Sequence, residues 1–262
     1  MKKNQKIILL LFLAICVIIA CSTLIQKNQS VPKVDPVNQT NKTYNFQKFL
    51  PTANNKIYHH TYYSLSYNEK HEQADWVYYL LTKDFVNGTA KRKDNFREDD
   101  IITTKSASLK DYKNSGYDRG HLCAAADMKL NEIAMSETFF MSNMSPQLPG
   151  FNRGEWKKLE AKVRDWVIQE DSIIVVTGPI FKNNIENIGE NKVTVPGYYY
   201  KVIYDVTKPQ KMIAFILPHL SKPEPFTDYQ TSVNEVEKQT GIDFFSILDD
   251  EFEEQLEANQ NW

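Results

Sequence analysis

Four apolar segments of the chain predict buried β-strands. Residues 76–81 combine aromatic and aliphatic side chains and end at a polar Thr-Lys-Asp sequence. Residues 173–176 form a β-branched run that is closed by a Gly-Pro pair. Residues 198–206 alternate polar and apolar positions, and residues 212–217 are apolar up to a proline. Each segment has a length typical of a strand.

Three other segments predict helices, at residues 152–169, 227–240 and 248–259. The last of them carries large apolar residues four positions apart, which places them on one helix face. Because these strands and helices do not alternate strictly along the chain, the pattern favours an α+β fold.

The apolar run at residues 7–20 has a different character. It carries no charge, follows three lysines and precedes Cys21. A basic segment followed by an apolar one predicts an export signal. The sequence Ile-Ile-Ala before Cys21 resembles a bacterial lipobox, which implies cleavage before this cysteine and its lipidation. We therefore expect a lipoprotein of the bacterial cell envelope that faces the periplasm or the exterior.

Two alternatives to the lipoprotein signal stay open. Residues 7–25 approach the roughly 20 residues that span a bilayer, so the segment can act as an uncleaved signal anchor. The signal can also be cleaved at another position. All three interpretations place the rest of the chain outside the cytoplasm.

A polar segment follows the signal. Residues 22–52 are rich in Asn, Gln, Lys, Thr and Ser and contain Pro32 and Pro36, which predicts a flexible tether. We therefore predict a signal peptide over residues 1–20, a tether with lipidated Cys21 over residues 21–52, and a globular domain over residues 53–258.

The composition suits a globular protein and excludes several other classes of protein. The 262 residues are 42% apolar and 24% charged, and the mean hydropathy is -0.49. These values exclude a multi-span membrane protein and a disordered chain. The formal charge of -2 means that the whole chain is not a polycation that coats nucleic acid.

Candidate chemistry is concentrated in residues 117–160. The sequence Tyr-Asp-Arg-Gly-His contains Arg119 and His121, which would share one face of a strand. An arginine beside an imidazole can bind a phosphate and deprotonate a water next to it. A single histidine is more often structural, and it is the neighbouring Arg119 that favours catalysis here.

A second group of candidates follows at the predicted helix of residues 152–169. Asn152 with Glu155 three residues later resembles a capping box and predicts the helix start. The Asn152 amide oxygen is also an acceptable ligand for Mg²⁺ or Ca²⁺. Glu160 is the one acid on an otherwise apolar helix face, which indicates either a nearby metal or an inward structural salt bridge.

The order of short motifs resembles the DNA/RNA non-specific endonuclease family, the endonuclease G-like ββα-metal (His-Me finger) nucleases. The motifs are Asp-Arg-Gly-His at residues 118–121, Ser-Asn-Met-x-Pro-Gln at 142–147, Phe-Asn-Arg-Gly-x-Trp at 151–156 and Leu-Glu at 159–160. The resemblance covers about residues 58–257. It implies an α+β fold with a central, mostly antiparallel sheet flanked by helices.

The resemblance also implies roles for individual residues. His121 would be the general base that activates water, and Asn152 would be the protein ligand of one Mg²⁺. Glu160 would act in catalysis by steering the water shell of the metal. Arg119 would contact phosphate near the reaction.

Three further residues are carried over with weaker motifs. Arg92 matches a second catalytic and phosphate-binding arginine, with Arg97 as the nearby alternative. Arg153 is expected to bind nucleic acid. Asn143 is grouped with these nucleic-acid-binding residues and is expected to support the site through hydrogen bonds.

The function implied is Mg²⁺-dependent cleavage of DNA and RNA with low sequence specificity and 5′-phosphate products. Mn²⁺ or Ca²⁺ would be substitutes for Mg²⁺. The partners implied are DNA and RNA, a membrane reached through the lipid anchor, and a second copy in a homodimer. The alternative is a surface lipoprotein that binds nucleic acid without cleaving it.

The charge distribution supports the nuclease interpretation in part. Acidic residues accumulate near the C-terminus, whereas basic residues cluster around the motifs. The basic ones are Lys91, Arg92, Lys93, Arg97, Arg119, Arg153, Lys157, Lys158 and Arg164. We predict a positive groove around His121; the alternative is a merely solvated face.

Overall fold

Antiparallel strands form the centre of the protein. The computed structural model describes residues 46–181 and 186–262. The strands among these residues are β1 (Ile57–His59), β2 (Tyr63–Asn68), β3 (Gln73–Thr82), β4 (Asp118–His121), β5 (Met144–Gln147), β6 (Ser172–Ile180), β7 (Asn187–Ile188), β8 (Val193–Thr194), β9 (Tyr198–Asp205), β10 (Lys211–Pro218) and β11 (Gln230–Thr231). Seven of them form one sheet in the order β1-β2-β3-β6-β9-β10-β11, and β4-β5 and β7-β8 form separate pairs.

Helices lie on both sides of this sheet. They are α1 (Lys83–Asn87), α2 (Leu109–Tyr112), α3 (Glu132–Glu137), α4 (Pro149–Asn152), α5 (Glu155–Glu170), α6 (Val233–Thr240) and α7 (Asp250–Glu257). Short 3₁₀ turns occur at Phe46–Phe49, Ala125–Asp127, Met141–Asn143 and Phe226–Tyr229. Every neighbouring pair in the seven-stranded sheet is antiparallel, so the predicted α+β fold with a central antiparallel sheet is confirmed.

The sheet separates two apolar layers. Val175 joins the cluster that includes Trp156 and Val163 of α5. Its neighbour Val176 joins the opposite cluster, with Val236 of α6, because successive strand residues point to opposite faces. Burying each such side chain stabilises the fold by roughly 1.5–3 kcal/mol. Since β6 is covered on both faces, its residues 173–176 form a continuous apolar run.

The four predicted strands are confirmed. Residues 76–81 lie inside β3, residues 173–176 inside β6 and residues 212–217 inside β10, and residues 198–206 match β9. All three predicted helices are confirmed but start later than expected, and α7 at Asp250–Glu257 also ends before the predicted residue 259. The segment 227–240 begins as a 3₁₀ turn and strand β11, and α6 starts only at Val233.

The predicted helix start at Asn152 is wrong. Asn152 ends α4, and α5 begins at Glu155 after Gly154. A Cβ on Gly154 would lie 2.3 Å from the carbonyl oxygen of Gly150, so glycine permits the close turn between the two helices. The expected capping box is not formed, because no side chain caps α5.

The globular unit begins earlier than the predicted residue 53. Phe49 is buried and packs edge-on against Tyr204, with ring centroids 5.9 Å apart. The backbone N–H of Thr52 donates to the carbonyl of Asp243 at 2.9 Å. The last residues of the expected tether therefore belong to the domain. At the other end Trp262 packs on the sheet-covering helix α5, so the domain also extends past residue 258.

The predicted signal, Cys21 and most of the predicted tether lie outside the described residues. Within the residues that are described, no helix combines the length and the apolar character that a membrane crossing requires.

Candidate active site

The β4–β5 pair carries the first part of the site. Arg119 pairs with Pro146 and His121 with Met144, so both side chains project from the same face of β4. Gly120 lies between them over the side chain of Gln147, where a Cβ would approach to 2.2 Å. The glycine therefore lets β4 lie close to its partner strand and brings the arginine and the histidine to one side.

The His121 imidazole is held without a hydrogen bond to its Nε2 atom. This atom is buried and has no partner among the described residues. The ring packs edge-on against Phe139, with centroids 5.1 Å apart, and Phe96 lies 5.7 Å away. Burial, and then the charges of Arg92 and Arg119, lower the pKa of His121 to about 3. The imidazole is therefore neutral near pH 7.

Asn143 fixes the loop that follows His121. Its Oδ1 accepts from the N–H of Cys123 at 2.8 Å, and its Nδ2 donates to the carbonyls of Cys123 and Thr138 at 3.0 and 2.8 Å. Asn143 is 0% exposed. The side chain is therefore out of reach of a nucleic acid, which corrects the expected contact of Asn143 with the substrate. Its hydrogen bonds instead support the loop after His121.

Asp118 of β4 connects Asn152 to the β4–β5 pair. The Asn152 Nδ2 donates to Asp118 Oδ2 at 2.9 Å, and the Arg153 guanidinium donates to both carboxylate oxygens at 2.6 and 2.8 Å. Burial raises the pKa of Asp118, but the hydrogen bonds from Arg153 and Asn152 outweigh it and hold the pKa below its ordinary value. The Asp118 carboxylate stays ionised and accepts a hydrogen bond from the amide nitrogen of Asn152. The amide oxygen of Asn152 is therefore the atom that can bind a cation.

Glu160 lies one helical turn after the buried Trp156 on α5. Burial raises its pKa to about 7, and the charge of Lys201 acts in the opposite direction. No ion pair among the described residues includes Glu160. Among the described residues Glu160 therefore has no partner for the alternative interpretation, an inward structural salt bridge.

Lys201 is a residue of the site region that the sequence analysis did not single out. It is 0% exposed, donates from Nζ to Thr177 Oγ1 at 2.6 Å, and lies 4.8 Å from the ring centroid of Trp156. A buried ammonium is costly without compensation, and the charges of Glu160 and Asp127 oppose the burial that lowers its pKa. The sequence signal that could have identified Lys201 is its position in the middle of an otherwise buried strand.

Four predicted residues meet at one open depression of about 450 Å³, here called the main depression. Arg92, Arg119, Asn152 and Arg153 are in its wall. Its remaining wall residues are Asp94, Phe96, Leu109 and Asp118. The charge of Arg92 acts on both His121 and Glu160, so these two groups lie within electrostatic reach of the depression although they are not in its wall.

The two candidate arginines occupy different surroundings. The Arg97 guanidinium donates to the carbonyl of Ser136 at 2.9 Å and lies 3.8 Å from the ring centroid of Phe140, so it is used within the fold. The Arg92 side chain is 52% exposed and pairs with Asp94 at 2.6 Å in the wall of the main depression. The geometry favours Arg92 as the phosphate-binding candidate.

The expected basic surface is smaller than the sequence suggested. Arg164 is turned inward to Asp127 at 2.7 Å, and Lys158 pairs with Glu155 at 2.5 Å. The positive character of the main depression therefore depends on Arg92, Arg119 and Arg153.

The donor set fits a hard divalent cation that is bound mainly through water. Within the described residues, no three His, Cys, Asp or Glu side chains are grouped as metal ligands. Asn152 offers a neutral amide oxygen, and Glu160 offers a carboxylate without an ion-pair partner. Oxygen ligands of this kind suit Mg²⁺, which keeps several of its waters.

Comparisons with known proteins agree with this geometry. A family model described as DNA/RNA non-specific endonuclease matches residues 41–251. Nuclease C1 of Cunninghamella echinulata var. echinulata is 36% identical in an alignment of 205 positions that covers 71% of this chain and 81% of that protein. The mitochondrial nuclease EXOG of Mus musculus is 31% identical and is matched over 60% of its length. A chain of a solved EndoG/EndoGI complex superposes with a TM-score of 0.73 at 31% identity, covering 80% of this chain and 95% of that one.

Proposed function

Because this chain belongs to the DNA/RNA non-specific endonuclease family and has its ββα-metal fold, we propose that it is an exported, membrane-tethered, Mg²⁺-dependent endonuclease. It cleaves both DNA and RNA with low sequence specificity. The observation that carries the proposal is the neutral His121. Its Nε2 has no partner among the described residues, and its ring lies 5.7 Å from that of Phe96, in the wall of a depression lined by three arginines.

In the proposed reaction the arginines bind the substrate and His121 moves the proton. Arg119 and Arg92 bind the phosphate and spread the charge that develops on its oxygens. His121 Nε2 removes a proton from a water as its oxygen attacks phosphorus. The bond from phosphorus to the 3′ oxygen breaks, which leaves a 5′ phosphate, and the 3′ oxygen takes a proton from a solvent water to become a hydroxyl. Since no ribose 2′-hydroxyl takes part, DNA and RNA are both substrates.

Asn152 and Glu160 would hold the metal. The Asn152 Oδ1 would be the ligand atom, because its amide nitrogen is committed to Asp118. The Glu160 carboxylate would orient waters at the site. When bound, Mg²⁺ would supply Lewis acidity that offsets negative charge at the reacting phosphate. The homodimer and the substitution by Mn²⁺ or Ca²⁺ stay predictions of the resemblance.

Cleavage assays test this function directly. The purified protein with Mg²⁺ is expected to nick and linearise circular plasmid DNA and to degrade RNA, because the proposed base and metal ligand are both present. Gel electrophoresis of the products measures this. Intact plasmid and RNA, together with retained DNA binding, would favour the alternative of a nucleic-acid-binding lipoprotein that lacks catalysis.

The envelope location rests on Cys21 and the segment before it. In bacterial cells the unchanged protein is expected in the membrane fraction and with incorporated fatty acid, and a Cys21→Ser variant is expected to lose the fatty acid. Cell fractionation and metabolic lipid labelling measure the two effects. Unchanged protein in the membrane fraction without incorporated fatty acid would support the uncleaved signal anchor instead.

A further inference from the structure

A second depression adjoins the main depression and has no role in the proposed chemistry. It has a volume of about 360 Å³, and we call it the side depression. Leu109, Asp118 and Arg119 belong to the walls of both depressions. Tyr112, Lys113 and Tyr117 complete the wall of the side depression. The two hollows are therefore continuous across Arg119.

The wall of the side depression combines one leucine and two tyrosines with two cations, Lys113 and Arg119, and one acid. Leu109 is 40% exposed and Tyr117 is half-buried. Lys113 is exposed. The one acid of the wall, Asp118, is already engaged by Arg153. The chemistry suits a flat, uncharged ring that is attached to an anionic backbone.

The apolar part of this wall is held rigidly. Leu109 opens the single-turn helix α2, and Asp111 in that turn accepts four hydrogen bonds. Two come from the N–H and Oγ of Ser108 at 2.8 and 2.9 Å, and two come from the N–H and Nδ2 of Asn191 at 3.0 and 2.8 Å. A contact surface that is ordered before binding loses little conformational entropy when a ligand arrives.

The aromatic part is fixed in a similar way. The Tyr117 hydroxyl donates to Glu186 Oε2 at 2.9 Å, and the Tyr117 backbone continues directly into β4. The Arg119 guanidinium lies 4.0 Å from the ring centroid of Phe96. A phosphate would therefore bind to an Arg119 side chain that is already held in place. The nucleotide next to this phosphate would lie over the main depression or the side depression.

We propose that the side depression binds the nucleobase of a nucleotide next to the phosphate held by Arg119. The proposal rests on the nuclease function proposed above and adds a substrate preference to it. A base in this hollow cannot remain stacked in a duplex, so single-stranded and distorted nucleic acids are the preferred substrates. Stacking on an apolar wall is tolerant of base identity, because every base has a flat face.

The experiment combines an altered protein with an altered substrate. The full chain carrying Leu109→Ala is compared with the unsubstituted protein on a single-stranded DNA oligonucleotide. Ile247→Ala is the matched control, because Ile247 is also an exposed aliphatic residue (58%) and belongs to the wall of neither depression. Leu109→Ala is expected to raise KM by about 3–30-fold with little change in kcat, and Ile247→Ala is expected to change neither.

The substrate arm needs no protein variant. An abasic residue is moved along the oligonucleotide, and cleavage at each phosphate is measured. We expect one position relative to the cut at which the missing base slows cleavage by about 5–100-fold. Equal cleavage for all abasic positions, or Leu109→Ala kinetics equal to those of Ile247→Ala, would overturn the proposal.

Failure of the proposed function gives a different result. In that case the unsubstituted protein cleaves none of the oligonucleotides. Fluorescence anisotropy of intact and abasic oligonucleotides then still tests the side depression. Equal affinities for the two would overturn it, whereas weaker binding of an abasic oligonucleotide would support it without catalysis.

Discussion

Replacing His121 with alanine is expected to lower the rate of phosphodiester cleavage by about 10²–10⁴-fold, the usual contribution of a positioned general base. The Nε2 atom of His121 is buried and has no partner in the part of the chain that the structure describes, and burial with the charges of Arg92 and Arg119 keeps the imidazole neutral. Among the described residues, the wall of the main depression itself contains no histidine that could replace His121. Nucleic-acid binding should persist, because the arginines that bind phosphate are unchanged.

Single-turnover cleavage rates and fluorescence anisotropy measure these two properties separately. A His59→Ala variant is the matched control, since His59 is exposed on β1 and its Nδ1 contacts Ser64 Oγ at 2.8 Å. It should cleave at the rate of the unsubstituted protein. A His121→Ala protein with full activity would exclude this mechanism, and one that also fails to bind would point to a structural defect.

Replacing Asn152 with alanine is expected to raise the Mg²⁺ concentration that gives half-maximal cleavage and to lower the maximal rate. Losing even an indirect metal-site contact commonly costs about 10–100-fold in metal affinity or activity, and a direct ligand should cost at least as much. Asn152 offers one amide oxygen, because its nitrogen donates to Asp118. Chelation of divalent metal by EDTA should abolish cleavage in both proteins.

Titration of Mg²⁺ in the cleavage assay gives both quantities. Asn234→Ala is the matched control, because Asn234 also donates to a carboxylate, Glu254 at 2.8 Å, but does so from α6 on the other side of the sheet. Its Mg²⁺ dependence should equal that of the unsubstituted protein. An unchanged Mg²⁺ dependence in Asn152→Ala would remove Asn152 from the metal site, and cleavage in EDTA would remove the metal from the reaction.

Several features of the fold could be read from local sequence. The run at residues 173–176 is apolar at every position because β6 is covered on both faces, and the spacing of Arg119 and His121 places both on one face of β4. The helix boundary at Asn152 could not be read in this way. The boundary depends on Gly154, which has no Cβ. A Cβ there would collide with the carbonyl oxygen of Gly150, and this close approach is seen only in the folded structure.

The sequence by itself determined the α+β class, the central strands and the set of residue types at the candidate site, because these follow from short-range periodicity and from ordered motifs. The tertiary structure alone decided which groups meet. It separated Arg92 in the main depression from Arg97 packed on Phe140, buried Asn143, and placed Lys201 beneath Trp156. Contacts between residues far apart in the chain, and the burial that sets their charges, arise only when the sheet and helices pack, so no local pattern encodes them.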